Sequence, residues 1–169
     1  MREIRFRDDI LPLKDKLFRL ALRVTLDREE AEDIVQDTML KLWERRDEWQ
    51  KIESLEAFSM TLCRNLALDH CKSARMNNMR LDDTVEQSGS SITPLDELDS
   101  KMRLEALKRL IEQLPEVQRS ILMLRDNEGK RYDEIASILG ISESQVKVYL
   151  HRARIRLKEQ LSQFERHGL

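Results

Sequence analysis

Residues 132–158 have the sequence YDEIASILGISESQVKVYLHRARIRLK, and this stretch decides the fold of the C-terminal part of the chain. Ile135, Ala136 and Leu139 recur at the spacing of one apolar face, which predicts a short helix. Gly140 is expected to end that helix, because glycine readily adopts the left-handed conformation found after many helix C-termini.

A second helix is predicted directly after this glycine. Ser142 and Gln145 have the spacing of a capping box, in which each side chain hydrogen-bonds the other residue's backbone N–H. Apolar residues then follow at steps of four, three and four, and they are Val146, Leu150, Ala153 and Leu157. Two helices joined by a short turn with a glycine are typical of a helix-turn-helix.

The opposite face of the second predicted helix is basic. Its cations are Lys147, Arg152, Arg154, Arg156 and Lys158, and residues 147–158 contain no acid. A polar N-terminal turn followed by cations suits a DNA major groove, where polar groups meet base edges and cations meet phosphates. The alternative is a solvated amphipathic helix on an ordinary helical bundle.

Composition predicts an all-α protein with one or two small domains. The chain has 169 residues, 5% aromatic and 37% charged, with only 4 glycines and 3 prolines. The net charge is −2, so no overall basic charge indicates nucleic-acid binding. The charge is unevenly distributed, however, because residues 76–100 are strongly acidic and residues 101–169 are basic overall.

The sequence indicates a cytoplasmic protein that is not an enzyme. No run approaches the roughly 18 apolar residues of a membrane span, and the N-terminus lacks the apolar core of a signal peptide. Cys63 and Cys71 would lie about 12 Å apart along one helix, too far for a disulfide. Together with His70 they match no zinc spacing, so buried thiols and a surface histidine are expected. We identify no catalytic residue, metal site or cofactor site.

Three helices are predicted in the N-terminal part. The first spans residues 12–26, Asp27 caps the second, and Ser54 caps the third. The predicted inner face of the second comprises Ala31, Ile34, Val35, Thr38 and Leu42, and that of the third Leu55, Phe58, Leu62, Leu66 and Asp69. Trp49 falls in a charged break between them, where spacing alone favours a place in the core.

The apolar rhythm is lost from residue 77 to residue 99. This acidic stretch contains Gly, Ser and Pro, which predicts a flexible linker between two helical domains, residues 1–76 and 100–169. The second domain should have a helix starting near Leu95 and another starting at Pro115, before the helix-turn-helix. The inner residues of these two helices are expected to be Leu98, Met102, Leu104, Leu107, Leu110, Ile111 and Leu114, and then Val117, Ile121, Leu122 and Leu124.

Three motifs in this order resemble a known family. They are DREEAEDIVQDTMLKLW at residues 27–43, EAFSMTLCRNLALD at residues 56–69, and LPEVQRSILMLR at residues 114–125 followed by the helix-turn-helix. The chain resembles the extracytoplasmic-function sigma factors, small bacterial sigma factors that carry only the second and fourth conserved regions. The resemblance implies an alternative sigma factor that binds core RNA polymerase and directs promoter-specific initiation.

The resemblance also implies which residues make each contact. The polymerase-binding residues would be Glu32, Asp33, Gln36, Asp37 and Leu40. The residues at the −10 element would be Trp49, Phe58, Asn65, Asp69 and Lys72. The residues at the −35 element would be Ser142, Glu143, Ser144, Gln145, Lys147, His151, Arg152 and Arg154. In this interpretation Trp49 stacks on a base flipped from the non-template strand, and this role is favoured over a place in the core.

The implied partners are core RNA polymerase, promoter DNA and an anti-sigma factor, and the free protein would be a monomer. The competing interpretation is a helix-turn-helix transcription regulator that binds DNA alone. Such a regulator normally carries a sensor or dimerisation domain upstream, and residues 1–75 match neither pattern. A hydrolase or metalloenzyme is disfavoured, because no nucleophile–base pair, metal spacing or phosphate-binding glycine loop is present.

Overall fold

The structure is a computed structural model that describes residues 2–81 and 100–167, with side chains described for residues 2–74 and 100–165. This part of the chain is helical and contains no strand, which confirms the all-α prediction. Its α-helices are α1 Lys14–Thr25, α2 Arg28–Glu44, α3 Leu55–Leu81, α4 Ser100–Glu112, α5 Glu116–Leu122, α6 Tyr132–Leu139 and α7 Glu143–His167. Within the described residues, no helix is both long and apolar enough to cross a lipid bilayer.

Helices α1, α2 and α3 pack together as an N-terminal unit. Leu26 has a left-handed φ of 58° and ends α1, while its N–H donates to the carbonyl of Leu22. The predicted cap of α2 is confirmed, because Asp27 Oδ1 accepts the backbone N–H of Glu30 at 3.0 Å. The predicted inner face of α2 is also confirmed, since all five of its residues are buried.

The inner face of α3 differs from the prediction. Its buried residues are Ser59, Met60, Cys63, Arg64 and Ala67, whereas the predicted residues are half-buried or, for Asp69, exposed. The reason is that α3 serves two apolar clusters. Met60, Cys63 and Ala67 belong to the main core, and Leu55, Phe58 and Leu62 pack against a smaller one around Ile10, Leu42 and Trp49.

Helix α3 is also longer than predicted. Ser54 Oγ accepts the N–H of Ala57 at 3.2 Å at the start of the helix, as expected for a cap. The helix then continues to residue 81, so the predicted boundary at residue 76 falls inside it. The rest of the predicted linker, residues 82–99, lies outside the described residues, as do Leu95 and Leu98.

The C-terminal unit contains α4 to α7. Pro115 precedes α5 as predicted, and a π-helical turn, Met123–Asn127, follows α5. The predicted conformation of Gly140 and the predicted capping box after it are both confirmed. Gly140 has a left-handed φ of 69°, and Ser142 and Gln145 exchange hydrogen bonds of 3.1 and 3.0 Å. In α4 the predicted inner residue Leu104 is instead 52% exposed, and Ala106 is buried.

The two units share one hydrophobic core. Helix α1 packs against α5, and α3 packs against α6. Buried residues of the first unit, such as Leu17 and Cys63, belong to the same cluster as Ile121, Ile135 and Val146 of the second. The sequence predicts a flexible linker between two helical domains, and in this structure the two units are packed together.

Candidate nucleic-acid interface

Helix α7 presents a polar, exposed face to solvent. All eight residues predicted at the −35 element are exposed, from Ser142 to Arg154. On the opposite side Val146, Leu150 and Ala153 are buried against the other helices of the unit, and Leu157 is half-buried. Burial of this stripe fixes the helix on its support and leaves the predicted recognition face free.

The cations on this face differ in their surroundings. Arg154 Nη2 lies 2.8 Å from Asp126 Oδ1, and both side chains are about half exposed. Lys147 Nζ lies 5.8 Å from the ring centroid of Tyr132. Within the described part of the chain, the side chains of His151 and Arg152 make neither a hydrogen bond nor an ion pair. A solvated ion pair such as that of Arg154 is worth little, so it costs little to exchange it for a phosphate.

A second polar face lies on α3. Asn65, Asp69 and Lys72 are exposed and stand at i, i+4 and i+7, which places them on one side of the helix. Phe58, also predicted at the −10 element, is half-buried, and the Arg45 guanidinium lies 5.6 Å from its ring centroid. Asn65 offers both a donor and an acceptor, as recognition of a base edge requires.

Trp49 does not belong to this face, and its predicted stacking role is contradicted. Its side chain is 4% exposed and packs with Ile10 and Leu42. A 3₁₀ turn, Arg46–Lys51, carries the indole inward, where Nε1 donates to the carbonyl of Leu42 at 2.9 Å. That carbonyl lies in the last turn of α2, where it also accepts the backbone N–H of the capping residue Arg45 at 3.2 Å. Trp49 is therefore a core residue.

The outer face of α2 is acidic and borders an apolar groove. The residues predicted to bind polymerase are all exposed, and Leu40 is 60% exposed. Beside them lies a groove lined chiefly by Phe6, Leu11, Val35, Met39, Leu40 and Trp43. Sequence reasoning missed the groove, because Phe6 and Leu11 come from a segment whose approach to α2 no local pattern predicts. Exposed apolar patches of this kind commonly mark interaction surfaces.

The cysteines and the nearby histidine have structural surroundings. Cys63 is buried, its thiol donates to the carbonyl of Leu17, and burial raises its pKa to about 12. Cys71 is half-buried, and its thiol lies 3.7 Å from the carbonyl oxygen of Val24. His70 is exposed, with Nε2 3.4 Å from Glu30 Oε1. Neither cysteine forms a disulfide within the described residues.

Charged side chains join the two units, and sequence reasoning missed them. Arg119 of α5 is 9% exposed and donates to the carbonyls of Arg23 at 2.6 Å and Val24 at 3.2 Å, at the end of α1. It also donates to Leu114 O at 2.6 Å. Burial lowers the pKa of the Arg119 guanidinium. The side chain thus donates to carbonyls at the end of α1, where no further turn of the helix supplies N–H donors.

A second group of charges surrounds the start of α3. Glu56 accepts hydrogen bonds from Lys16 of α1 and from Lys130, which precedes α6. Burial acts to raise the Glu56 pKa, but the hydrogen bonds from the two lysines outweigh it and hold the pKa below its usual value. Arg19 of α1 donates to Glu128 at 2.6 Å. Lys16 Nζ also lies 4.0 Å from Glu128 Oε2, so these charges form one group between the two units.

The geometry defines a class of protein. One all-helical body carries three surfaces. They are a helix-turn-helix with an exposed recognition face, a second polar helical face, and a separate acidic surface with an apolar groove. This combination is that of a nucleic-acid-binding protein with a protein partner.

Comparison with known proteins then gives the family. Residues 10–76 match Sigma-70 region 2, and residues 104–157 match Sigma-70, region 4. The extracytoplasmic-function (ECF) RNA polymerase sigma factor SigL of Mycobacterium tuberculosis is 33% identical over 140 residues, covering 81% of this chain and 77% of SigL. The chain belongs to the ECF RNA polymerase sigma factors. Sigma factors are non-enzymatic initiation factors, in agreement with the absence of a predicted catalytic residue.

The other relatives differ in how much of their length this chain covers. The probable sigma factor RfaY of Xanthomonas campestris is 30% identical over 148 residues, covering 85% of this chain but 37% of RfaY. The sigma factor RpoE of Bartonella quintana, solved in complex with the anti-sigma factor NepR, superposes with a TM-score of 0.69 at 27% identity, covering 93% of this chain and 96% of RpoE. CnrH, solved with the cytosolic domain of CnrY, shares the fold, with a TM-score of 0.65, 20% identity and coverage of 93% and 87%.

Proposed function

We propose that this protein is a cytoplasmic alternative sigma factor, which binds core RNA polymerase and directs it to specific promoters. The observation that carries the proposal is the presence, on one chain, of two polar helical faces and a separate acidic surface with an apolar groove. A regulator that acts alone needs a DNA-reading face and a sensor or dimerisation surface. It has no need of a second DNA-reading face.

The −35 element would be read by the N-terminal half of α7. Glu143, Ser144 and Gln145 occupy its exposed first turn, where a recognition helix meets base edges in the major groove. Lys147, His151 and Arg152 follow along the exposed face and would contact bases or phosphates. Glu143 in the first turn opposes binding to DNA by charge alone, which favours a role for hydrogen bonds to base edges.

The −10 element would be opened and read by α3. A small helical unit melts DNA only by binding the open state more tightly than the closed one. Asn65 is exposed and can hydrogen-bond a base edge that becomes accessible only when the strands part. Since Trp49 is buried, we assign base reading here to Asn65, with Asp69 and Lys72 beside it.

Core polymerase would dock on the outer face of α2. Glu32, Asp33 and Asp37 give this face a negative charge, which favours a basic partner surface. The neighbouring groove adds apolar area around Leu40 and Trp43, which are 60% and 47% exposed. A charged rim beside an apolar centre is the usual anatomy of a protein interface.

An anti-sigma factor is a further proposed partner. The solved neighbour RpoE is in complex with an anti-sigma factor, and its chain is covered almost completely by this one. Such a partner would stabilise the packed arrangement of the two units and cover the faces that bind DNA. Residues 82–99 connect the two units and contain six acids and no base.

The experiment that tests the proposal is assembly on a promoter duplex. The protein is mixed with core polymerase and passed over a sizing column, alone and with DNA that carries candidate −35 and −10 elements. A sigma factor is expected to elute with polymerase and to retain the promoter only in its presence. Retention of the duplex by the protein alone, with no association with polymerase, would favour the stand-alone regulator.

A further inference from the structure

One ion pair between the two units involves the helix that carries the proposed −10 face. Arg64 of α3 donates to Glu116 of α5 from Nε at 3.1 Å and from Nη2 at 2.9 Å. The Arg64 side chain is 8% exposed and that of Glu116 is 21% exposed. Ser120 Oγ also donates to Glu116 at 2.7 Å and fixes the carboxylate.

The position of Arg64 on α3 places it beside the proposed −10 residues. It directly precedes Asn65 in the sequence, and Lys72 lies eight residues further on. At 3.6 residues per turn, both are within about 100° of Arg64 around the helix axis. An arginine side chain is long enough to reach around this angle toward a strand lying along the Asn65 face.

The geometry of the pair is that of phosphate recognition. A guanidinium presents parallel N–H donors that fit a carboxylate and a phosphate in the same bidentate way. Glu116 thus occupies the position that a backbone phosphate would take. We propose that Arg64 is a phosphate-contacting residue for the −10 strand, and that Glu116 occupies it as long as the two units are packed together.

This inference rests on the proposed function and explains how unit separation is coupled to DNA binding. An arginine that is 8% exposed needs a charged partner, because an unpaired buried charge is strongly destabilising. When α5 moves away with Glu116, Arg64 becomes solvated and can pair with a phosphate. The packed form therefore lacks one of the contacts that hold the opened strand.

The first test measures salt dependence in the holoenzyme. Core polymerase is loaded with wild type, Arg64→Gln or Arg64→Lys, and binding to a forked promoter with a single-stranded −10 element is measured from low to high salt. Loss of one phosphate contact is expected to weaken binding to all −10 sequences alike and to reduce the log–log salt slope by about 1. Arg64→Lys should restore the slope, because it keeps the charge.

The second test measures the masking by Glu116 in the free protein. Glu116→Gln should bind a single-stranded −10 oligonucleotide several-fold more tightly than wild type, and Glu116→Gln with Arg64→Gln should lose that gain. Glu105→Gln is the matched control, since it removes the same charge from an exposed site on the same unit. Circular dichroism of each variant checks that the helices remain intact.

The outcomes separate this inference from the function on which it rests. An unchanged salt slope for Arg64→Gln, in a holoenzyme that initiates normally, would refute Arg64 as a phosphate contact. Equal oligonucleotide binding by Glu116→Gln and wild type would refute the masking. Failure of the wild-type protein to join core polymerase would instead refute the proposed function, and with it this inference.

Discussion

The indole of Trp49 hydrogen-bonds the carbonyl of Leu42 at 2.9 Å and ties the 3₁₀ turn after α2 to the end of that helix. Trp49 is 4% exposed and lies in the smaller apolar cluster. Its ring centroid is 6.2 Å from that of the exposed Trp43. Its role is to fix the path from α2 into α3. The tryptophan expected to meet DNA thus supports the helix that carries Asn65.

Trp49→Ala should destabilise the N-terminal unit by about 3–5 kcal/mol, the usual cost of removing a large buried aromatic. Trp49→Phe keeps most of the packing and loses mainly one hydrogen bond, worth about 1 kcal/mol. Urea denaturation measures both. Trp43→Ala is the control, because that side chain is 47% exposed and its loss should change stability far less. Wild-type stability of Trp49→Ala would mean that the indole is not a core residue in solution.

Lys147→Ala and Arg152→Ala should weaken holoenzyme binding to −35 duplex DNA. Loss of a base-reading residue is expected to cost about 1–3 kcal/mol and relax one promoter position, whereas loss of a phosphate contact weakens all sequences alike. Fluorescence anisotropy on a set of −35 variants distinguishes the two. Lys101→Ala, an exposed lysine on α4, is the control for charge alone. Wild-type affinity in both α7 variants would remove this face from the DNA interface.

Asp33→Arg and Asp37→Arg should reduce assembly with core polymerase while the fold is kept. Both side chains are exposed on α2, so reversing their charge leaves the core intact and opposes a complementary surface. A pull-down with core polymerase, together with circular dichroism, measures the effect. Glu105→Arg makes the same charge reversal on α4 and should assemble normally. If all three variants bind alike, the docking surface lies elsewhere.

The Glu56 cluster predicts a dependence of stability on acidic pH. The folded pKa of Glu56 lies below its unfolded value, so its contribution is fully present above the unfolded pKa of about 4.3 and is lost as the pH falls through the folded pKa. Glu56→Gln should therefore be less stable than wild type at neutral pH, and the difference should shrink below about pH 4. Denaturation midpoints from pH 7 to pH 3 check this. A difference that stays constant would show that Glu56 gains nothing from Lys16 and Lys130.

Local sequence signals predicted much of the fold. The Asp27 and Ser54 caps, the capping box at Ser142 and the left-handed Gly140 each depend on a few neighbouring residues, so their geometry follows from type and spacing. The apolar face of α2 was predicted correctly for the same reason. It packs on one side only, and a single periodic stripe describes it.

The remaining features depend on contacts between distant parts of the chain. The spacing around Trp49 could not reveal that the Leu42 carbonyl near the end of α2 and the side chain of Ile10 would receive the indole. The face of α3 was shifted because that helix serves two clusters at once. No local sequence pattern predicts the hydrogen-bond partners of Arg64 and Arg119. The partner of Arg64 lies 52 residues away in the sequence, and that of Arg119 lies 96 residues away. The exposed face predicted for α7 agrees with the structure.

The measurement that tests the central claim most directly is run-off transcription. Core polymerase is supplied with the protein and a promoter library, and transcript starts are mapped by sequencing. We expect starts downstream of a shared pair of −35 and −10 elements, with the −35 preference altered by Lys147→Ala and the −10 preference altered by Asn65→Ala. Start sites that do not change when the folded protein is added, despite its binding to DNA alone, would contradict the assignment as a sigma factor.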